Sequence, residues 1–175
     1  MTTVSEKIKA LTDKIKDALG PYPRATTVVA RAADPRTPNV APVVPAMMIA
    51  VTYHQTEVVR ISLDDEGNPI DVQLDSGGWE SNTTKKRIND TLAALSIPFR
   101  VCHDKKTMIF CGFWEKDANG KYHNQSIPFV ELMRIRLFKN GAIRSVVNVF
   151  GMPIGIVRPK TFRRAVDRMT IKEAS

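Results

Sequence analysis

Val4, Ile8, Leu11, Ile15 and Leu19 recur at spacings of four and three, the period of one helical face. Lys7, Lys9, Lys14 and Lys16 alternate with Glu6, Asp13 and Asp17 over the rest of the circumference. The pattern predicts a helix over about 3–19, stopped by Gly20 and Pro21. Its apolar stripe suits docking on its own domain and equally a seam with another subunit. The period then breaks. Proline at 21, 23, 35, 38, 42 and 45 leaves room for one short strand, Thr26 to Ala32, and an extended arm over 34–45, because proline removes a donor and restricts its neighbour.

From Met47 the pattern is β-prone. Met47 to Tyr53, Thr56 to Leu63, and Pro69 to Leu74 read as strands, with a polar turn at Asp64-Asp65-Glu66-Gly67-Asn68. The glycine pair Gly77-Gly78 ends this run. Ile88, Leu92 and Leu95 then give the apolar face of a helix over 83–96, with Asn82, Thr83 and Thr84 as candidate N-caps and Pro98 as its stop. Hairpins follow. Phe99 to His103 and Thr107 to Trp114 flank Asp104-Lys105-Lys106; a second turn sits at Asn119-Gly120, before a short Ile127 to Phe129. Glu131 to Phe138 and Ala142 to Phe150 flank Lys139-Asn140-Gly141, where Asn-Gly supplies positive φ. After a glycine-containing turn over 151–157, a last helix is expected from Pro159, with Phe162, Val166 and Met169 on one face and Lys160, Arg164 and Arg168 on another.

The expected architecture is therefore α+β: one antiparallel sheet of hairpins with the central helix packed on it, plus N- and C-terminal helices. The parts are a helix and proline-rich arm over 1–46, a β-rich core over 47–150 and a basic tail over 151–175. No apolar run approaches the ~18 residues of a membrane span, and 1–19 does not read as a signal peptide. Two cysteines make no disulfide framework, so a reducing compartment is expected.

Net charge is +8 and segregated. Residues 1–80 hold 8 Lys+Arg against 11 Asp+Glu, a balance of −3, whereas 81–175 hold 18 against 7, a balance of +11. Such asymmetry suits a polyanionic partner, nucleic acid first and an acidic protein surface second. The central helix sharpens the point. Its first turn holds Lys85, Lys86 and Arg87, where the helix dipole favours acids. Two readings fit: a phosphate site made with the Thr83 and Thr84 hydroxyls and free helix amides, or cations that simply face water. Arg134, Arg136 and Arg144 alternate with Ile135, Leu137 and Ile143 and are expected to form one wet basic strand face. Lys160, Arg163, Arg164 and Arg168 add a basic helix stripe. Trp79 after two glycines either stands exposed as a platform for a base or is an ordinary core residue.

Several motifs place the core beside a known group. Tyr53-His54-Gln55-Thr56 leading into Val58-Val59, Ser76-Gly77-Gly78-Trp79, Thr83-Thr84-Lys85 with Arg87-Ile88-Asn89, and Ile127-Pro128-Phe129 resemble small proteins of tailed bacteriophages, over roughly 53–138. The resemblance implies a phage origin and a start in the host cytoplasm, with possible later residence in the virion. It carries over no catalytic or binding residue.

Other chemistries are poorly served. Cys102, His103, Cys111, His54 and His123 lack the spacing of a zinc site, and Cys102 and Cys111 read as packed thiols facing each other across a hairpin. The carboxylates at 64, 65, 66, 71 and 75 lack calcium-loop spacing, and neither a P-loop nor a nucleophile elbow is present. No enzyme, cofactor or metal is expected. The leading expectation is a non-enzymatic phage protein that holds nucleic acid, DNA foremost, through phosphate contacts of low sequence specificity. The alternatives are a virion assembly protein whose arm and tail engage neighbouring subunits, with homo-oligomerisation, and an inhibitor of a host protein.

Overall fold

The computed structural model describes residues 1–21, 25–32, 47–97, 99–104, 107–116 and 122–154, the side chains of 104–128 excepted. The proline-rich stretch after Ala32 and the basic tail with Lys160, Arg163, Arg164 and Arg168 lie outside the described residues.

Helix α1 (Val4–Leu19) starts on a capping box, in which the Thr3 side chain accepts from Glu6 N at 3.2 Å and the Glu6 carboxylate accepts from Thr3 N at 2.7 Å. Strands β1 (Thr26–Ala32), β2 (Met47–Tyr53), β3 (Thr56–Leu63) and β4 (Pro69–Leu74) follow as antiparallel neighbours. After helix α2 (Asn82–Ala94) come β5 (Phe99–Asp104), β6 (Thr107–Lys116) and β7 (Tyr122–Pro128), then β8 (Met133–Leu137) and β9 (Ile143–Val147). Among the described residues these strands form two sheets, not one. Six strands run in the order β1-β2-β3-β4-β8-β9, and β5-β6-β7 make a separate three-stranded sheet. The hairpins after α2 therefore part company: the first three strands leave, and β8 returns to pair with β4.

Register shows why one face of the large sheet is the core. Ile49, Ile61, Val72 and Ile135 form one row across it, and Val51, Val59, Leu74 and Met133 the next. All of them are buried. Ile8, Ile15 and Leu19 of α1, with Ile88 and Leu92 of α2, join the same cluster. Burial of each such side chain stabilises the fold by about 1.5–3 kcal/mol. The stripe on α1 thus packs on its own domain. Asn89 ties the small sheet to α2, its amide donating to the Val101 carbonyl at 2.8 Å and its carbonyl accepting from Val101 N at 2.7 Å. Helix α2 stops one turn before Pro98. Ser96 takes φ 56°, with Ile97 N on the Leu92 carbonyl at 3.0 Å and Ser96 N on the Ala93 carbonyl at 2.9 Å, a Schellman-type ending. Cys102 stands opposite Ile109 and Cys111 opposite Arg100, so the two cysteines do not face each other.

The opposite sheet face carries charge. Ser62, Asp71 and Arg136 form one row and Arg60, Gln73 and Arg134 the next. Arg134 Nε donates to both Asp71 oxygens, at 2.9 and 3.1 Å, and both residues are buried. Burial pushes the Asp71 carboxyl above its ordinary range, against the pull of Arg134 and Arg136. Such a pair stabilises little by itself but is costly to break. We expect Arg134→Ala to lower unfolding free energy by about 3–5 kcal/mol, and Asp71→Leu/Arg134→Met to recover most of it, both read from urea midpoints; equal losses for single and double variants would refute this role.

Candidate functional site

The turn that follows β4 is held from three sides. Gly77 has φ +61°, and a Cβ there would meet Thr56 Oγ1 at 2.5 Å, so only glycine fits against the start of β3. Glu131 takes the other side: its carboxylate accepts from Ser76 N at 2.6 Å, from Gly78 N at 3.3 Å and from the Ser76 hydroxyl. The backbone there is strained to reach back, with Leu132 at φ 61° and Met133 N on the Val130 carbonyl at 3.0 Å. On the third side His103 Nε2 donates to the Glu80 carbonyl at 2.8 Å. Trp79 lies between these ties. Its N–H donates to the Ser76 carbonyl at 3.0 Å and its carbonyl accepts from Ser81 N at 2.8 Å, so the backbone is fixed while the residue is 74% exposed.

Trp79 stands at a cavity of about 640 Å³, within the size range of small-ligand pockets. Tyr53, His54, Gln55 and Thr56, the turn between β2 and β3, line it with Val58, Ser76, Ser81 and Thr84. Ser81 is the N-cap of α2, in place of Asn82, Thr83 or Thr84: its hydroxyl accepts from Thr84 N at 3.1 Å and lies 3.0 Å from the Thr84 hydroxyl. Ser76, Ser81 and Thr84 are thus occupied inside the protein. The His54 and Gln55 side chains have no hydrogen-bond partner among the described residues, and both residues are exposed.

The expected basic site separates on inspection. Arg87 is 1% exposed. Its Nε donates to Thr26 Oγ1 at 2.6 Å, another guanidinium nitrogen to the Thr83 carbonyl at 3.1 Å, and the guanidinium lies 3.8 Å from the Tyr53 ring centroid. It cross-links α2, β1 and β2 from inside the fold, not from the surface where the expected anion site would lie. Thr84 is buried, which removes it from the surface as well. Thr83 is exposed, Lys85 half-buried, and Lys86 exposed with Asp90 at 2.9 Å. The expected wet strand face is likewise corrected. Arg134 is inside the fold, Arg136 is half-buried, and Arg144 alone of the three is exposed. Arg144 falls at the register shift between Arg136↔Ser145 and Leu137↔Ile143, with its guanidinium 6.0 Å from the Phe138 ring. The carboxylates after β3 serve turns: Asp64 accepts from Glu66 N and Asn68 N at 2.9 and 2.8 Å, and Asp75 from Gly77 N at 2.8 Å. No group of His, Cys, Asp and Glu suited to a metal ion occurs among the described residues.

Glu131 gave no signal in the sequence, because its partner Ser76 lies 55 residues away. Tyr53 to Thr56 carried a signal only as a motif, without a role.

These features define an α+β domain with a clamped, aromatic-bearing turn. The model of the Kyanoviridae Gp96 protein family matches residues 24–141, and the chain belongs to that family. It is a cyanophage protein. The match runs from just before β1 to the β8–β9 turn, and so takes in Gly77, Trp79, the cavity and Glu131. No curated protein and no solved structure matches the chain.

Asp75 and Glu131 both accept from the amides of the turn after β4. Burial, then Glu131, hold the Asp75 carboxyl above its ordinary range. Burial acts upward on Glu131 too, but Asp75, Ser76 and Gly78 as donors outweigh it and hold that carboxyl below its ordinary range. The stability due to Glu131 is present above the ordinary glutamate pKa and is lost as pH falls through the lowered value. That due to protonated Asp75 is present below the ordinary aspartate pKa and is lost as pH rises through the raised value. We expect Glu131→Ala, which strands its donors, to cost about 1–3 kcal/mol. Asp75→Asn keeps a donor toward Glu131 and should abolish the decline of the urea midpoint as pH rises through the raised Asp75 value; an unchanged decline would exclude Asp75 as its source.

Proposed function

We propose that this protein is a non-enzymatic nucleic-acid-binding protein of low sequence specificity. The observation that supports this best is Trp79, 74% exposed on a turn held by Glu131, Thr56 and His103. Burial of an aromatic ring contributes about 1.5–3 kcal/mol to folding, and here that contribution is forgone while the backbone beneath the ring is fixed. A rigid, exposed indole is what a stacking partner needs. Lys85 and Lys86 on the neighbouring helix turn, and the basic tail with Lys160, Arg163, Arg164 and Arg168, supply cations for phosphates. Among the described residues no helix is long and apolar enough to cross a membrane.

The salt dependence of binding to labelled DNA tests this. Log affinity should fall linearly with log salt, and the double variant Lys85→Ala/Lys86→Ala should make the slope shallower by roughly 1.4–1.8. Arg87→Ala should instead lower the urea midpoint, since that side chain is internal. A folded protein that binds no DNA at low salt would end the proposal.

A second reading is a virion assembly protein. Phe150 and Met152, 83% and 61% exposed, support it, since they sit in the turn after β9 as an apolar offering to another subunit. In that case sedimentation shows an oligomer that ignores salt and DNA, and Phe150→Ser/Met152→Ser dissociates it; a monomer at all concentrations argues against it.

A further inference from the structure

We propose that the cavity beside Trp79 takes a single unpaired nucleobase, so that the protein holds single strands in preference to duplex. This rests on the nucleic-acid reading above and narrows it to one ligand class. Among the described residues no Lys or Arg lines the cavity. The Glu131 carboxylate holds the loop at its edge. A phosphate is repelled from such a place, whereas a neutral, flat heterocycle is not. The cavity also has the two features a base requires. One is an aromatic face: Trp79, exposed at the rim on a fixed backbone. The other is an uncommitted hydrogen-bonding edge. Ser76, Ser81 and Thr84 are satisfied internally, whereas Gln55 offers an amide with both donors and an acceptor, and His54 a ring nitrogen of each kind. A cavity of about 640 Å³ admits one base with its sugar. The bases of a duplex are stacked and paired, so their faces are withheld unless a nucleotide is extruded at a cost of a few kcal/mol.

The phosphates on either side of the inserted base then run outside the cavity, toward cations such as Lys85, which follows the cavity-lining Thr84 on α2. Base and backbone are thereby read by different groups, and the two contributions can be separated by experiment.

The test is fluorescence anisotropy at fixed low salt with three labelled ligands: a single-stranded DNA, its duplex, and an abasic strand of the same length and charge. Each is measured with the native protein, Trp79→Ala and Gln55→Ala. Trp79 and Gln55 are exposed, so neither variant should disturb the fold, and circular dichroism checks this. We expect the single strand to bind about 10-fold or more tightly than both the duplex and the abasic strand. Trp79→Ala should remove that advantage, and Gln55→Ala should reduce it. Equal binding of the single strand and the abasic strand, or an advantage untouched by Trp79→Ala, would overturn the base pocket and leave phosphate binding standing. Absence of binding to every ligand would overturn both readings.

Discussion

The pairing of β4 with β8 is the contact on which the rest depends. Leu74 stands opposite Met133, so the next residues outward are the Ser76 turn on one strand and Glu131 on the other. That single register delivers a carboxylate to three donors of a turn more than fifty residues earlier. It also completes the hydrophobic rows Val72–Ile135 and Leu74–Met133, whose burial stabilises the pairing without help from the site. A slip by one residue would turn those apolar side chains outward and carry Glu131 away from Ser76. Core and candidate site are thus locked by one alignment.

The charge of the molecule is less available than its total suggests. Arg87 and Arg134 lie in the positive half of the chain, yet both are inside the fold. One is satisfied by Thr26, Thr83 and the Tyr53 ring, the other by Asp71. Desolvating a guanidinium is tolerated only with such partners, and this is why a cation in a sequence does not by itself mark a surface. Around the first turns of α2, Lys85 is half-buried, Lys86 is paired with Asp90, and the indole of Trp79 is exposed.

The same region couples rigidity to exposure. A turn with Gly77 pressed on Thr56, Glu131 across its amides and strain at Leu132 is over-determined. A ligand that stacks on Trp79 meets a backbone already ordered, so little conformational entropy is lost on binding. Burial and the neighbouring Glu131 favour a neutral Asp75 while the turn's donors favour a charged Glu131, so the order of the turn responds to pH from both sides.

Local pattern was enough for the elements. The helical faces of α1 and α2, the strand runs from Met47 to Leu74 and the Asn140-Gly141 hairpin depend on periodicity and turn chemistry within a few residues, and each lies within a few residues of its expected place. The exposure of Trp79 was one of two readings open at that level, because an aromatic after two glycines has no local reason to choose. Which strands share a sheet, which arginines turn inward and where Glu131 points were decided by tertiary structure alone. Each depends on a partner far along the chain: β8 for β4, Thr26 and Tyr53 for Arg87, Asp71 for Arg134, Ser76 for Glu131. Periodicity reports which side of an element is apolar; it carries no information about what is brought against the polar side.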